Sequence, residues 1–187
     1  MIKSSTSLVN NLQNEFLKDC KRLKITPSSH NLIINIFSQE LYHYHENSLI
    51  RSYIISTSEK PSSCTQDSFG TPWGMHIIAE KIGDDAESGM VFKQRKPIGQ
   101  KYWESQEHLQ DQRLVTTRIL WLKGLELGVN QGPGVDSYHR YIYIHGTNRE
   151  HLLGSPVTLG CITLSNQDVI ALYNSIPCQS LVWINPI

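Results

Sequence analysis

The stretch LIINIFSQELYHYHENSLIRSYIIS, residues 32–56, decides the class of fold. Leu32–Phe37 is a short apolar run of the length of a buried strand, and Leu41–His45 alternates aromatic and imidazole side chains with the period of two that a strand requires. Glu46-Asn47-Ser48 supplies turn chemistry, and Leu49–Ser56 returns as a second β-rich run, so 41–56 reads as a hairpin.

Working outward, the same signal recurs at 75–80 (MHIIAE), 117–122 (TRILWL), 140–144 (RYIYI) and 180–184 (SLVWI). Long segments rich in Gly, Pro and Ser separate these runs, at 57–74, 83–112 and 124–139, and loops of that length in one domain usually carry function. Helical periodicity shows twice. Leu8, Leu12, Phe16 and Leu23 line one face of a helix over 7–24 that Pro27 ends, and Ser165-Asn166-Gln167-Asp168 opens a capped helix that Pro177 ends. Strands without interleaved helices predict a mainly β, mostly antiparallel sandwich or barrel rather than a doubly wound sheet. Residues 1–30 read as a helical appendage that packs on the main unit, residues 31–187.

The 187 residues include 39% hydrophobic and 18% charged side chains, which excludes an intrinsically disordered chain. Seventeen Lys and Arg balance seventeen Asp and Glu, so the electrostatic footprint of a nucleic-acid binder is missing. No run approaches the roughly 20 apolar residues of a membrane helix, and the first residues lack the apolar core of a secretory signal. A cytoplasmic protein with reduced thiols is expected, or a periplasmic one if the native N-terminus is longer. Cys20, Cys64, Cys161 and Cys178 form no CxxC pair, and neither a metal nor any other cofactor is expected.

Chemistry concentrates between residues 141 and 163. A lone cysteine is most often a small buried hydrophobe, but Cys161 follows Gly160, whose backbone freedom permits a sharp turn and leaves amides to face an oxyanion. The helix start at Ser165 favours a thiolate nearby. His145 stands at a strand end before Gly146, as a structural histidine or as the base for a cysteine nucleophile.

The segment RYIYIHGT…GCITLSNQDVIALYNSI resembles the YkuD-type L,D-transpeptidase catalytic domain, with its HG(T) strand end, its S-H-G-C-I-R motif and its following D-V-x-x-L-Y helix. The resemblance extends over about residues 31–187 through the opening hairpin, FGTPWGMHII and GLELGVNQGPGVDSYHRYIYIHGT. It implies Cys161 as nucleophile, His145 as general base and then acid, a backbone carbonyl near Gly146 orienting the imidazole, and the amides of Gly160 and Cys161 as oxyanion hole. It implies a murein tetrapeptide or other muropeptide as substrate, cut between an L-configured centre and a terminal D-alanine. Thr147, Thr158, Thr163, Trp73 and Arg140 become candidate substrate contacts.

Where the family has S-H-G-C-I-R this chain has Thr158-Leu159-Gly160-Cys161-Ile162-Thr163. Leu159 replaces a histidine that lines the pocket. Thr163 replaces an arginine expected to grip a carboxylate bidentately, leaving Arg140 or Arg118 as possible substitutes. The function expected is an L,D-carboxypeptidase that trims the terminal D-alanine during murein recycling. Its alternatives are an L,D-transpeptidase forming 3→3 cross-links or exchanging D-amino acids, and a non-catalytic cell-wall peptide binder. Elsewhere, His43 and His45 read as surface strand histidines, Trp103 as a lid contact, and Asp168 as a helix-capping carboxylate.

Overall fold

In a computed structural model, residues 2–104 and 112–185 are described, with side chains from residue 9 onward. Helix α1 spans Ile2–Leu23 and α2 spans Asn166–Ser175. The ten strands are β1 (His30–Asn35), β2 (Glu40–His45), β3 (Ser48–Ile54), β4 (Gly74–Ile82), β5 (Met90–Lys93), β6 (Lys96–Lys101), β7 (Val115–Gly124), β8 (Tyr143–Gly146), β9 (Ile162–Leu164) and β10 (Leu181–Asn185).

The strands form one curled sheet, ordered β3-β2-β1-β10-β4-β7-β5-β6, that branches at β7, where β8 pairs and carries β9 beyond it. Most pairs are antiparallel, as the sequence predicts, but β1–β10 and β8–β9 are parallel. The β2–β3 hairpin closes through Glu46 and Asn47, both at positive φ, as a two-residue turn matching the strand twist demands.

Alternate side chains of the central strands enter two cores. Leu32, Ile34, Val182 and Ile184 point with Leu120, Ile144 and Ile162 toward α2, which contributes Val169, Leu172 and Tyr173. Ile33, Leu181 and Trp183 point the other way, with Met75, onto the α1 stripe of Leu12, Phe16 and Cys20. A strand covered on both faces has no reason to alternate polarity, which is why Leu32, Ile33 and Ile34 follow one another without a polar residue between them. The helix also makes polar ties: Asp19 accepts from the Trp183 indole at 2.8 Å, and Arg22 pairs with the buried Glu126 at 2.8 Å.

The same burial corrects the reading of His43. It is 1% exposed, with its Nε2 2.9 Å from Nδ1 of His30 and the His45 ring alongside, because β2 is an interior strand between β1 and β3. The polar segment 83–112 also holds more than loop, since β5 and β6 form a hairpin there. The predicted lid contact Trp103 is half exposed and its ring lies against Gly89, while residues 105–111 lie outside the described residues.

Candidate active site

Strand β8 places Ile144 in the core and turns Tyr143 and His145 to the opposite face, their rings 6.5 Å apart. Arg140 and Tyr141, read from sequence as the start of a strand, instead lie in a turn in which the Arg140 amide bonds Asp136 and the Tyr141 amide bonds Tyr138. Tyr141 pays for this with φ of +58°, a left-handed conformation uncommon outside glycine.

His145 is 5% exposed, and its Nδ1 lies 2.7 Å from the Gly146 carbonyl. A carbonyl only accepts, so Nδ1 carries the proton and Nε2 keeps its lone pair. Burial pushes the imidazole pKa down to about 4, against the pull of that carbonyl bond, so the ring is neutral at neutral pH. Gly146 is small for a visible reason: a Cβ there would lie 2.7 Å from Oδ1 of Asn166 and 2.9 Å from the Thr116 carbonyl.

Asn166 is a residue the sequence reading passed over. Its Oδ1 accepts from the hydroxyls of Thr116, at 2.7 Å, and Thr117. Its Nδ2 donates to the Thr147 carbonyl at 2.9 Å and to Glu150 at 2.6 Å. One buried amide thus joins β7, the loop leaving His145 and the start of α2. The only signal for it was its place after Ser165, whose hydroxyl caps the helix by accepting from the Asp168 amide at 3.0 Å. Asp168 itself pairs with Arg51 at 2.8 Å, away from the imidazole.

Cys161 immediately precedes β9, which runs parallel to β8 with Thr163 opposite His145. The turn before it requires Gly160, at φ +117°. Thr158 braces that turn, donating its hydroxyl to the Cys161 carbonyl at 2.6 Å and accepting the Gly160 amide at 3.3 Å. Of the two amides expected to face an oxyanion, that of Gly160 is therefore directed at Thr158, while that of Cys161 has no partner among the described residues. The thiol donates to the Tyr141 carbonyl at 3.5 Å. Burial pushes its pKa up to about 11, opposed by a main-chain hydrogen bond with Tyr143 and by the positive charge of Arg140. Both groups are therefore neutral at neutral pH.

His145, Cys161, Thr147, Thr158 and Thr163 line one cleft of about 170 Å³, together with Leu159 and two arginines that the sequence reading missed, Arg113 and Arg149. The Thr163 hydroxyl is directed at the Ser56 carbonyl, 3.5 Å away. Trp73 and Arg140 are not part of this lining. The Trp73 main chain bonds Cys64 and Asn130, and the Arg140 guanidinium holds the carbonyls of Ser63 (3.0 Å) and Gly70 (2.7 Å). Arg118 lies over the Tyr173 ring and bonds the Ala86 and Thr117 carbonyls, equally remote from the lining. All four cysteines are unpaired, and no cluster of metal-ligating side chains occurs among the described residues.

Comparison with known proteins gives a consistent picture. The profile of one family, the L,D-transpeptidase catalytic domain (YkuD), matches residues 29–184. YqjB of Bacillus subtilis, assigned by name to the L,D-transpeptidases, is 46% identical over 41 residues, which is 22% of this chain and 23% of that protein. Among solved structures, L,D-transpeptidase 3 of Mycobacterium tuberculosis, in complex with a faropenem-derived adduct, superposes with a TM-score of 0.52 at 13% identity. That match covers 84% of this chain and 60% of the other. An L,D-transpeptidase from Mycobacterium smegmatis gives a TM-score of 0.50 at 15% identity, over 86% of this chain and 60% of that one. The chain therefore spans about six-tenths of the length of these structural relatives and less than a quarter of YqjB.

Proposed function

The chain belongs to the YkuD family of L,D-transpeptidase catalytic domains, and from that premise we propose that it is a cysteine L,D-carboxypeptidase acting on murein tetrapeptides. The observation that carries the proposal is a single cleft lined by Cys161 and by an imidazole whose tautomer is fixed by the Gly146 carbonyl. In this reading the thiol proton, resting on the Tyr141 carbonyl, passes to Nε2 of His145 as sulfur attacks the carbonyl carbon before the terminal D-alanine. The Cys161 amide stabilises the oxyanion. His145 then protonates the departing amine, leaving a thioester. Nε2 next takes a proton from water, the hydroxide attacks the thioester, and the shortened peptide leaves with a new carboxylate as the thiol regains its proton.

Water is the acceptor in this reading because hydrolysis needs only solvent at the thioester, whereas transpeptidation needs a second peptide site that excludes water. A cytoplasmic place in murein recycling belongs to the same proposal, and fractionation of native cells tests it separately.

Mass spectrometry of a murein tetrapeptide incubated with the protein, with and without D-methionine, separates the readings. Loss of one alanine as the sole change supports hydrolysis. A D-methionine-capped product would make the protein an acyl-transferring L,D-transpeptidase instead. An untouched tetrapeptide under reducing conditions would refute both and favour a binding module.

A further inference from the structure

Among the described residues, the cleft wall holds two arginines and no carboxylate. The two arginines differ in what surrounds them. Arg113 is committed on both sides of its guanidinium: Nε donates to the Val157 carbonyl at 2.9 Å, and Nη2 pairs with Glu59 at 2.6 Å, which offsets its charge. Arg149 is held only by its backbone. Its amide donates to the Thr147 hydroxyl at 3.1 Å, and it caps the short 3-10 turn Glu150–Leu152. The adjacent acid does not neutralise it, because Glu150 turns to the start of α2 and accepts both the amide (2.7 Å) and the side chain (2.6 Å) of Asn166. The Arg149 guanidinium has no hydrogen bond or ion pair among the described residues.

With Cys161 and His145 neutral and Arg113 paired, Arg149 is the one uncompensated charge on the lining among the described residues. A half-buried guanidinium on a pinned backbone offers planar, bidentate donors to a carboxylate, and a cleft wall of low dielectric strengthens that attraction. The hydroxyl that replaces the motif arginine, on Thr163, is already directed at Ser56.

We propose that Arg149 is the carboxylate anchor of this cleft, so that the preferred substrate is a peptide with a free carboxylate close to its scissile bond. Peptides in which that carboxylate is an amide bind poorly. The inference rests on the reading of Cys161 as nucleophile, and its test does not require turnover.

The test compares alkylation of Cys161 by iodoacetate, an anion, with alkylation by neutral iodoacetamide of similar size. The Cys161-containing peptide is followed by mass spectrometry so that Cys178, which is exposed, does not interfere. Both reagents form a carbon–sulfur bond with loss of iodide, so any effect of Arg149 on thiol ionisation cancels in the ratio of their rates. Arg149→Gln is expected to lower the iodoacetate-to-iodoacetamide ratio about fivefold to tenfold, the equivalent of one partly screened charge pair. Arg149→Lys should recover most of that ratio. An unchanged ratio in Arg149→Gln overturns the anchor. A ratio that responds, in a protein that leaves every murein peptide intact, supports the anchor while the catalytic reading fails. In an active protein, kcat/KM for a tetrapeptide should exceed that for its carboxamide, and Arg149→Gln should narrow the gap through KM; equal values for the two peptides in the unmodified protein would also overturn it.

Discussion

Acidification should unfold this protein well above the pH at which its carboxylates titrate. His43, His76 and His145 are at most 5% exposed, and each is held neutral with its pKa pushed down to about 4, mainly by burial. For His43 the neighbouring His30 and His45 add to the effect. For His76 the charge of Arg140 adds to it, and the bond to the Gly74 carbonyl opposes it. In the unfolded chain each returns to about 6.5. Between these two values the unfolded chain binds protons that the folded chain refuses, so stability rises with pH across the window and is lost as pH falls through it. Each histidine contributes up to about 1.4 kcal/mol per pH unit. The three together approach about 4 kcal/mol per unit at the steepest, a large part of a total stability of roughly 5–15 kcal/mol. Urea unfolding at pH 7, 6 and 5 measures this directly, as a falling midpoint at constant m-value. His76→Gln, which retains a donor for Gly74 and an acceptor for the Ser137 hydroxyl, should remove about a third of the slope. A midpoint that does not move between pH 7 and pH 5 would refute the reasoning.

Three substitutions probe the architecture around the site. Gly160→Ala places a side chain at φ +117° with its Cβ 3.3 Å from Ile142, at a strain of about 1–3 kcal/mol, and should reduce turnover more than tenfold while circular dichroism stays native. Asn166→Leu leaves two hydroxyls, a carbonyl and Glu150 without their buried partner. It should cost at least about 2 kcal/mol in urea unfolding, and unchanged stability would remove Asn166 from its role as the tie between β7, β8 and α2. Phe16→Ala opens a cavity between α1 and Trp183, with an expected loss of about 3–5 kcal/mol; a loss below about 1 kcal/mol would mean that α1 is not part of the core.

Where a strand is long and apolar, its identity was legible in sequence. Leu32–Phe37, Thr117–Leu122 and Ser180–Ile184 all fall within a residue or two of observed strands. The β5–β6 hairpin was not legible, because its turn uses Gln94 and Arg95 at positive φ where glycine or asparagine would have signalled it. Arg95 occupies that turn with its guanidinium over the rings of Trp121 (4.8 Å) and Tyr141 (5.0 Å), a tertiary contact with no local trace. Strand β9, three residues long, is too short to carry a period. For the site, His145, Cys161 and the orienting carbonyl of Gly146 followed from motif and resemblance. The surroundings did not. Arg113 and Arg149 reach the cleft from a strand approach and a 3-10 turn, and Asn166 braces the loop behind it from a helix start, so only the folded chain brings them together.

The central claim is that Cys161 forms an acyl-enzyme with help from His145, and intact-protein mass spectrometry tests it most directly. The protein is mixed with a murein tetrapeptide and quenched in acid within the first turnovers. The account predicts a transient adduct with the mass of the tripeptidyl group, mapped to Cys161, slowed in His145→Ala and missing from Cys161→Ala. Release of D-alanine by Cys161→Ala, or an adduct on any other residue, would contradict it.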